Sequence, residues 1–312
     1  MQRDLTVTAI GGLISALLWA GALTEMGNLR IYAGLAPLPL LVVGLGWGSG
    51  MAGLAVATGF VLALIFSTTL AGGIYGLAVA LPAWVLVHQA LSDRKLPGGG
   101  TAKPNAGQLL ARITGFAAGF LLLVALVHFD ADDGFRGAVE AFTRRVVQHR
   151  FHMLPVSVQD ELTGILMGFL PALSVWIWLL MLVMDGVIAQ AIVKRLNQNR
   201  RPTPAYAQLE VPEWCYWAFV AAAAVTLGAP ENIAYVARNL VLVLAIPFFF
   251  IGLGVVHLAT RRSPASRAFL AFFYLILFIF FGWIAIIVTA FGFFERWAGL
   301  RRRHGASAGG KV

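Results

Sequence analysis

Residues 162–190 read LTGILMGFLPALSVWIWLLMLVMDGVIAQ, with Lys194 and Arg195 just beyond. Asp185 is the only formally charged group in that run. About 20 apolar residues suffice to cross the roughly 30 Å of a bilayer's hydrocarbon. This run exceeds that length, and comparable runs recur along the chain. Across 312 residues, 59% are apolar and 12% charged, and mean hydropathy is +0.81. Soluble chains carry about 25% charged residues. Half that number cannot clothe a water-facing surface, which excludes a soluble globular domain, a disordered chain and a secreted disulfide scaffold. A transmembrane barrel would show strands of about ten residues with alternating polarity, and none occur. Cys215 is the one cysteine, so no internal disulfide and no cysteine-based metal or redox motif is expected.

The expected fold is therefore all-α, a polytopic helical membrane protein. It has about nine hydrophobic helices, near 5–23, 32–47, 50–70, 73–91, 109–128, 162–190, 213–228, 235–259 and 268–294, giving eight or nine crossings. Asp4 spoils the basic start of a signal peptide, so 5–23 reads as a first span. Lysines and arginines in short loops set orientation. With the N-terminus inside, the first six spans leave nine such residues inside and five outside. Over nine crossings the count is nearly balanced, twelve to eleven; if 213–228 fails to cross, it becomes fifteen to eight. The domain expectation is a bundle over 1–195, a basic linker over 196–212, a three-helix unit over 213–297 and a basic tail over 298–312. Within 132–152 an amphipathic helix is expected, capped by Asp130, Asp132 and Asp133. Phe135, Val139, Phe142 and Val146 form its apolar stripe, and it either lies on the membrane surface or covers a ligand cavity.

Asp185 is the strongest candidate ligand-binding residue. A carboxylate within a span costs a few kcal/mol on insertion scales and faces the bundle interior or a wet cavity. Its readings are a substrate or proton site, a structural hydrogen bond, or a helix-end position nearer water. Asn239 shares a helix face with Tyr235, and Arg238 lies beside it; snorkelling to the interface is the alternative for Arg238 and for His257. Gly12, Ala16 and Ala20 form a small-residue face for helix packing, either within the chain or with another subunit. Gly48 through Gly53 matches G-x-G-x-x-G, but joins two apolar helices rather than a strand and a helix, so it reads as a tight turn with close packing. His128, His149 and His152 sit among polar groups without metal-site spacing. No catalytic motif is present, so no enzyme activity, no metal and no cofactor is expected. The basic groups flank spans, which argues for no nucleic-acid partner.

The run Ala36-Pro37-Leu38-Pro39-Leu40-Leu41-Val42-Val43-Gly44, the turn from Gly48 to Gly53, Val211-Pro212-Glu213-Trp214 and the ending from Phe291 to Arg301 resemble the YybS-like family of bacterial membrane proteins of unknown function. The first part of that family is similar to the S-components of energy-coupling-factor transporters. The resemblance implies a six-helix bundle in the bacterial cytoplasmic (inner) membrane with a cytoplasmic N-terminus. It implies that the Gly12–Ala16–Ala20 face docks a membrane coupling subunit, and that a small-molecule ligand binds within the bundle. Three additional helices depart from that pattern, and Gln2 replaces the histidine with which nickel and cobalt components begin. The function expected is the solute-binding or translocating component of a small-molecule transporter. A non-transporting scaffold or regulator that binds partner membrane proteins is the alternative.

Overall fold

The computed structural model describes residues 2–23, 32–92, 94–95, 101–102, 105–129, 134–198, 200–201, 209–260 and 265–298. The fold is all-α and polytopic. Among the described residues, seven helices are long and apolar enough to cross a membrane, and Tyr32–Trp47 and Ser266–Ile279 are shorter apolar helices. Among the described residues, the one sheet pairs two-residue strands, Arg94–Lys95 with Thr101–Ala102. The expected caps Asp130, Asp132 and Asp133 and the tail arginines lie outside the described residues. The chain packs as two compact units, residues 1–105 with 177–204, and residues 106–176 with 205–312. The sequence division at 195 and 213 was drawn around a polar linker.

The first unit contains α1 (Gln2–Ala22), α2 (Pro37–Trp47), α3 (Ser49–Phe66), α4 (Thr69–Tyr75), a π-helical turn (Gly76–Ala80) and α5 (Leu81–Leu91). It is completed by the second part of α9 (Leu170–Arg195). Helices α1 and α3 approach closely because Gly12 has no side chain. A Cβ there would stand 2.6 Å from the Ala55 carbonyl oxygen and 2.9 Å from the Gly59 nitrogen. Between α2 and α3, Gly48 adopts φ +105°, a left-handed conformation that glycine enters without steric cost. Pro82 cannot offer an N–H to the Ala78 carbonyl, four residues earlier in the π turn. The indole Nε1 of Trp178 donates to that oxygen instead, at 2.8 Å.

In the second unit are α6 (Ala106–Val127), α7 (Gly134–Arg150), α8 (Val156–Met167), the start of α9, α10 (Glu213–Gly228), α11 (Glu231–Leu244), α12 (Ile246–Thr260), α13 (Ser266–Ile279) and α14 (Phe281–Ala298). The close approach of α12 to α14 depends on Gly252 against the Val288 carbonyl and Gly292 against the Phe248 carbonyl. Tyr216, Phe219, Phe248 and Phe293 interlock beside that crossing, with ring centroids 4.8–5.7 Å apart.

Three expected helices are each divided. The run 162–190 breaks at Gly168–Phe169 and the run 268–294 at Phe280, and a single turn residue, Ala245, divides a third, 235–259, into α11 and α12. At the first break, Pro171 denies the Met167 carbonyl its helical donor. Tyr235 Oη donates to that oxygen at 2.6 Å. Proline is well tolerated in a first helical turn, so Pro171 opens α9 rather than kinking it. The amphipathic α7 also differs from expectation by a rotation. Its buried stripe is Phe135, Val139, Thr143 and Val147, while Phe142 is 59% exposed and Val146 is also exposed. Polarity guided the expected stripe; packing accepts Thr143 because its hydroxyl donates to the Val139 carbonyl at 2.7 Å.

Candidate functional site

The buried face of α9 within the first unit is Leu179, Leu182, Asp185, Ala189 and Val193, spaced three or four residues apart. That spacing is one stripe of a helix, and Asp185 lies at its centre, 1% exposed. Its Oδ2 is buried without a hydrogen-bond partner, and among the described residues no cation pairs with its carboxylate.

The level of Asp185 in the unit follows from its neighbours. A Cβ on Gly34 would meet Met181 Sδ at 3.4 Å, and one on Gly46 would meet Val193 Cγ2 at 3.7 Å. The offset is the same at both contacts, so α2 and α9 run parallel. Asp185, one turn after Met181, falls level with the first turn of α2, at Pro37–Pro39. That turn starts inside the unit, past the midpoint of α1. Ser15 Oγ donates to the Ala36 carbonyl at 2.6 Å, and the Tyr75 hydroxyl hydrogen-bonds Ser15 Oγ at 2.8 Å. A serine hydroxyl has one proton, so Tyr75 is the donor of the second bond. Both side chains are fully buried. Ser15 and Tyr75 were invisible as a pair in the sequence, since 60 residues separate them.

The opposite end of α2 and α9 is cationic. Arg200 Nε donates to the Gly46 carbonyl at 3.0 Å, and Arg201 Nη1 donates to the Ala90 carbonyl at 3.0 Å. Two arginines thus cover the C-terminal carbonyls of α2 and α5, where the helix dipole favours positive charge. Gln190, one turn past Asp185, donates to the Arg201 carbonyl at 3.3 Å.

The other predicted residues occupy separate places. Asn239 is fully buried in the second unit. Its Oδ1 accepts from Ala172 N at 3.1 Å, and its Nδ2 donates to the Tyr235 and Gly168 carbonyls at 3.1 and 3.4 Å. The amide therefore stitches the α8–α9 break to α11. Arg238 pairs with Glu231 at 2.7 Å, beside Arg136 at 3.2 Å from the same oxygen. His257 Nδ1 lies 2.9 Å from the Leu253 carbonyl oxygen, and its Nε2 lies 3.4 Å from the Tyr274 hydroxyl. Gly12 and Ala16 are buried, Gly12 against α3, and Ala20 is half-buried. α3 thus already occupies Gly12's side of the face that the resemblance assigned to a coupling subunit. Gly48 forms the α2–α3 turn beside Arg200, and a Cβ on Gly53 would meet the Trp84 ring at 3.5 Å. Among the described residues, no three His, Cys, Asp or Glu side chains converge to hold a metal ion.

Residues 14–295 match a family described as predicted membrane protein, DUF2232. No curated protein and no solved structure matches the chain.

Proposed function

We propose that this chain, which belongs to the DUF2232 family of predicted membrane proteins, binds and moves a small cationic solute or a proton across the bilayer. Asp185 is its anionic contact. The single observation that carries the reading is the isolation of that side chain: it is buried, within a spanning helix, and its Oδ2 has no partner. An ionised carboxylate in that setting is costly, and buried charges are paired with one another or mark ion and substrate pathways. A proton or an ammonium group relieves that cost. The parallel α2 supports the same reading, because its positive end lies level with Asp185 and favours an acid there.

No bond making or breaking is needed, so the reading is of a carrier component and not of an enzyme. The membrane is the bacterial cytoplasmic one, with the start of α1 and the ends of α2, α5 and α9 on the cytoplasmic side. In the first unit, α1 runs antiparallel to α2, as the Ser15–Ala36 bond and the packing of Gly11 on Pro39 and Val43 require. The start of α1 and the ends of α2, α5 and α9 therefore share one face, which carries Lys194, Arg195, Arg200 and Arg201. Cationic groups are retained on the cytoplasmic side.

The test is transport by the full chain in proteoliposomes, with radiolabelled methylammonium and a trapped pH indicator as probes. Wild-type protein moves methylammonium or protons, and Asp185→Asn abolishes the movement while purifying as a folded protein. Equal transport by both proteins, or by neither, would remove the proposal.

A further inference from the structure

The α7–α8 hairpin carries an apolar surface that packing leaves unused. The inward stripe of α7 is satisfied, and Phe135 also contacts Tyr235 with ring centroids 6.0 Å apart. On the outward side, Phe142 and Val146 are exposed, and the connecting segment exposes Phe151, Met153 and Leu154, followed by Val156. Met153 is 87% exposed and Val156 72%. The same surface is basic. Arg145, His149, Arg150 and His152 are all exposed beside these residues. Arg144 is engaged separately, by Glu140 at 3.2 Å and Asp160 at 2.7 Å. Those contacts hold its guanidinium above the ordinary arginine range, the Glu140 hydrogen bond contributing most and the Asp160 charge next. Among the described residues, neither Arg145 nor Arg150 has an acidic partner.

Position limits what this surface can meet. Gly168 and Phe169 alone separate α8 from the spanning helix α9, so the base of the hairpin is fixed at a membrane boundary. Standing upright, the hairpin would hold Phe151, Met153, Leu154 and Val156 in water. Lying over, it places them in the headgroup zone, where apolar groups are buried and arginines meet phosphates.

We infer that the α7–α8 hairpin lies along the bilayer and inserts its tip, Phe151 to Val156, among anionic lipid headgroups, with Arg145 and Arg150 as the phosphate contacts. This stands apart from the transport reading, since it involves neither Asp185 nor solute movement.

The experiment uses the full chain carrying Met153→Cys, with Val156→Cys as a second position, labelled with an environment-sensitive fluorophore. Cys215 is buried, which directs labelling to the introduced thiol. The protein is reconstituted in phosphatidylcholine vesicles with or without phosphatidylglycerol. Spin-labelled lipid is expected to quench the probe while aqueous iodide leaves it largely unquenched. Adding Arg145→Glu and Arg150→Glu lowers the inserted-to-free ratio in the anionic vesicles by about fivefold or more per arginine. Full quenching by iodide with none by lipid, or equal insertion with and without the anionic lipid, overturns the inference. So does protection from both quenchers in native membranes, because a protein would then cover the tip.

Discussion

At the scale of the residue, what distinguishes Asp185 is the lack of a partner, and that was not legible in the sequence. Its location inside an apolar helix was. Asn239, singled out for sharing a helix face with Tyr235, differs in that the structure gives its side chain three backbone bonds. Periodicity places a residue on a face but does not say which donors and acceptors a distant segment brings there. Asn239→Ala is expected to lower stability by roughly 1–2 kcal/mol, as hydrogen bonds within membrane bundles average about 0.6 kcal/mol each. Thermal unfolding in mild detergent measures this, and an unchanged midpoint would show those bonds to be dispensable. Gly12→Val is expected to cost more, about 1–3 kcal/mol, because the added atoms meet the backbone of α3 rather than a movable side chain.

At the scale of the element, the composition made the number and approximate limits of the apolar helices readable, but not their interruptions. Around the break the run 162–190 stays apolar, and nothing in its hydropathy separates α8 from α9. Pro171 was the available signal, and its meaning depends on Tyr235, which arrives 64 residues later to take the Met167 carbonyl. Pro82, Ala78 and Trp178 repeat the arrangement in the first unit. In lipid a freed carbonyl needs a partner from its surroundings, and at Pro171 and Pro82 that partner is in each case one aromatic donor. Trp178→Phe should therefore cost about 1 kcal/mol in the natural background. It should cost measurably less in combination with Pro82→Ala, which restores a main-chain donor at position 82. Equal costs in a double-mutant cycle would deny the coupling. The rotated stripe of α7 has a similar origin: Thr143 reads as polar in sequence, yet bonds its own helix and packs inward.

At the scale of the whole molecule, charge, dipoles and connectivity agree on one face of the first unit. The arginines at 200 and 201 cover helix ends there, and α1 begins there. The C-terminal half was less legible, because α10 has 16 residues, fewer than a full span needs, and four more helices, α11 to α14, follow it before the basic tail. A reporter fused after Val312 separates the two counts left open by the sequence: with the N-terminus inside, eight crossings predict a cytoplasmic C-terminus, and periplasmic reporter activity would reject that version. In the proposed carrier the membrane-embedded bundle seals Asp185 from water while leaving its carboxyl unpaired. The most direct test of that seal is carbodiimide modification of the reconstituted protein, read by mass spectrometry of the peptide containing Asp185. A lipid-soluble carbodiimide is predicted to modify Asp185, a water-soluble one is predicted to leave it intact, and methylammonium is predicted to slow the first reaction. Rapid modification by the water-soluble reagent, or none by either, would contradict the account.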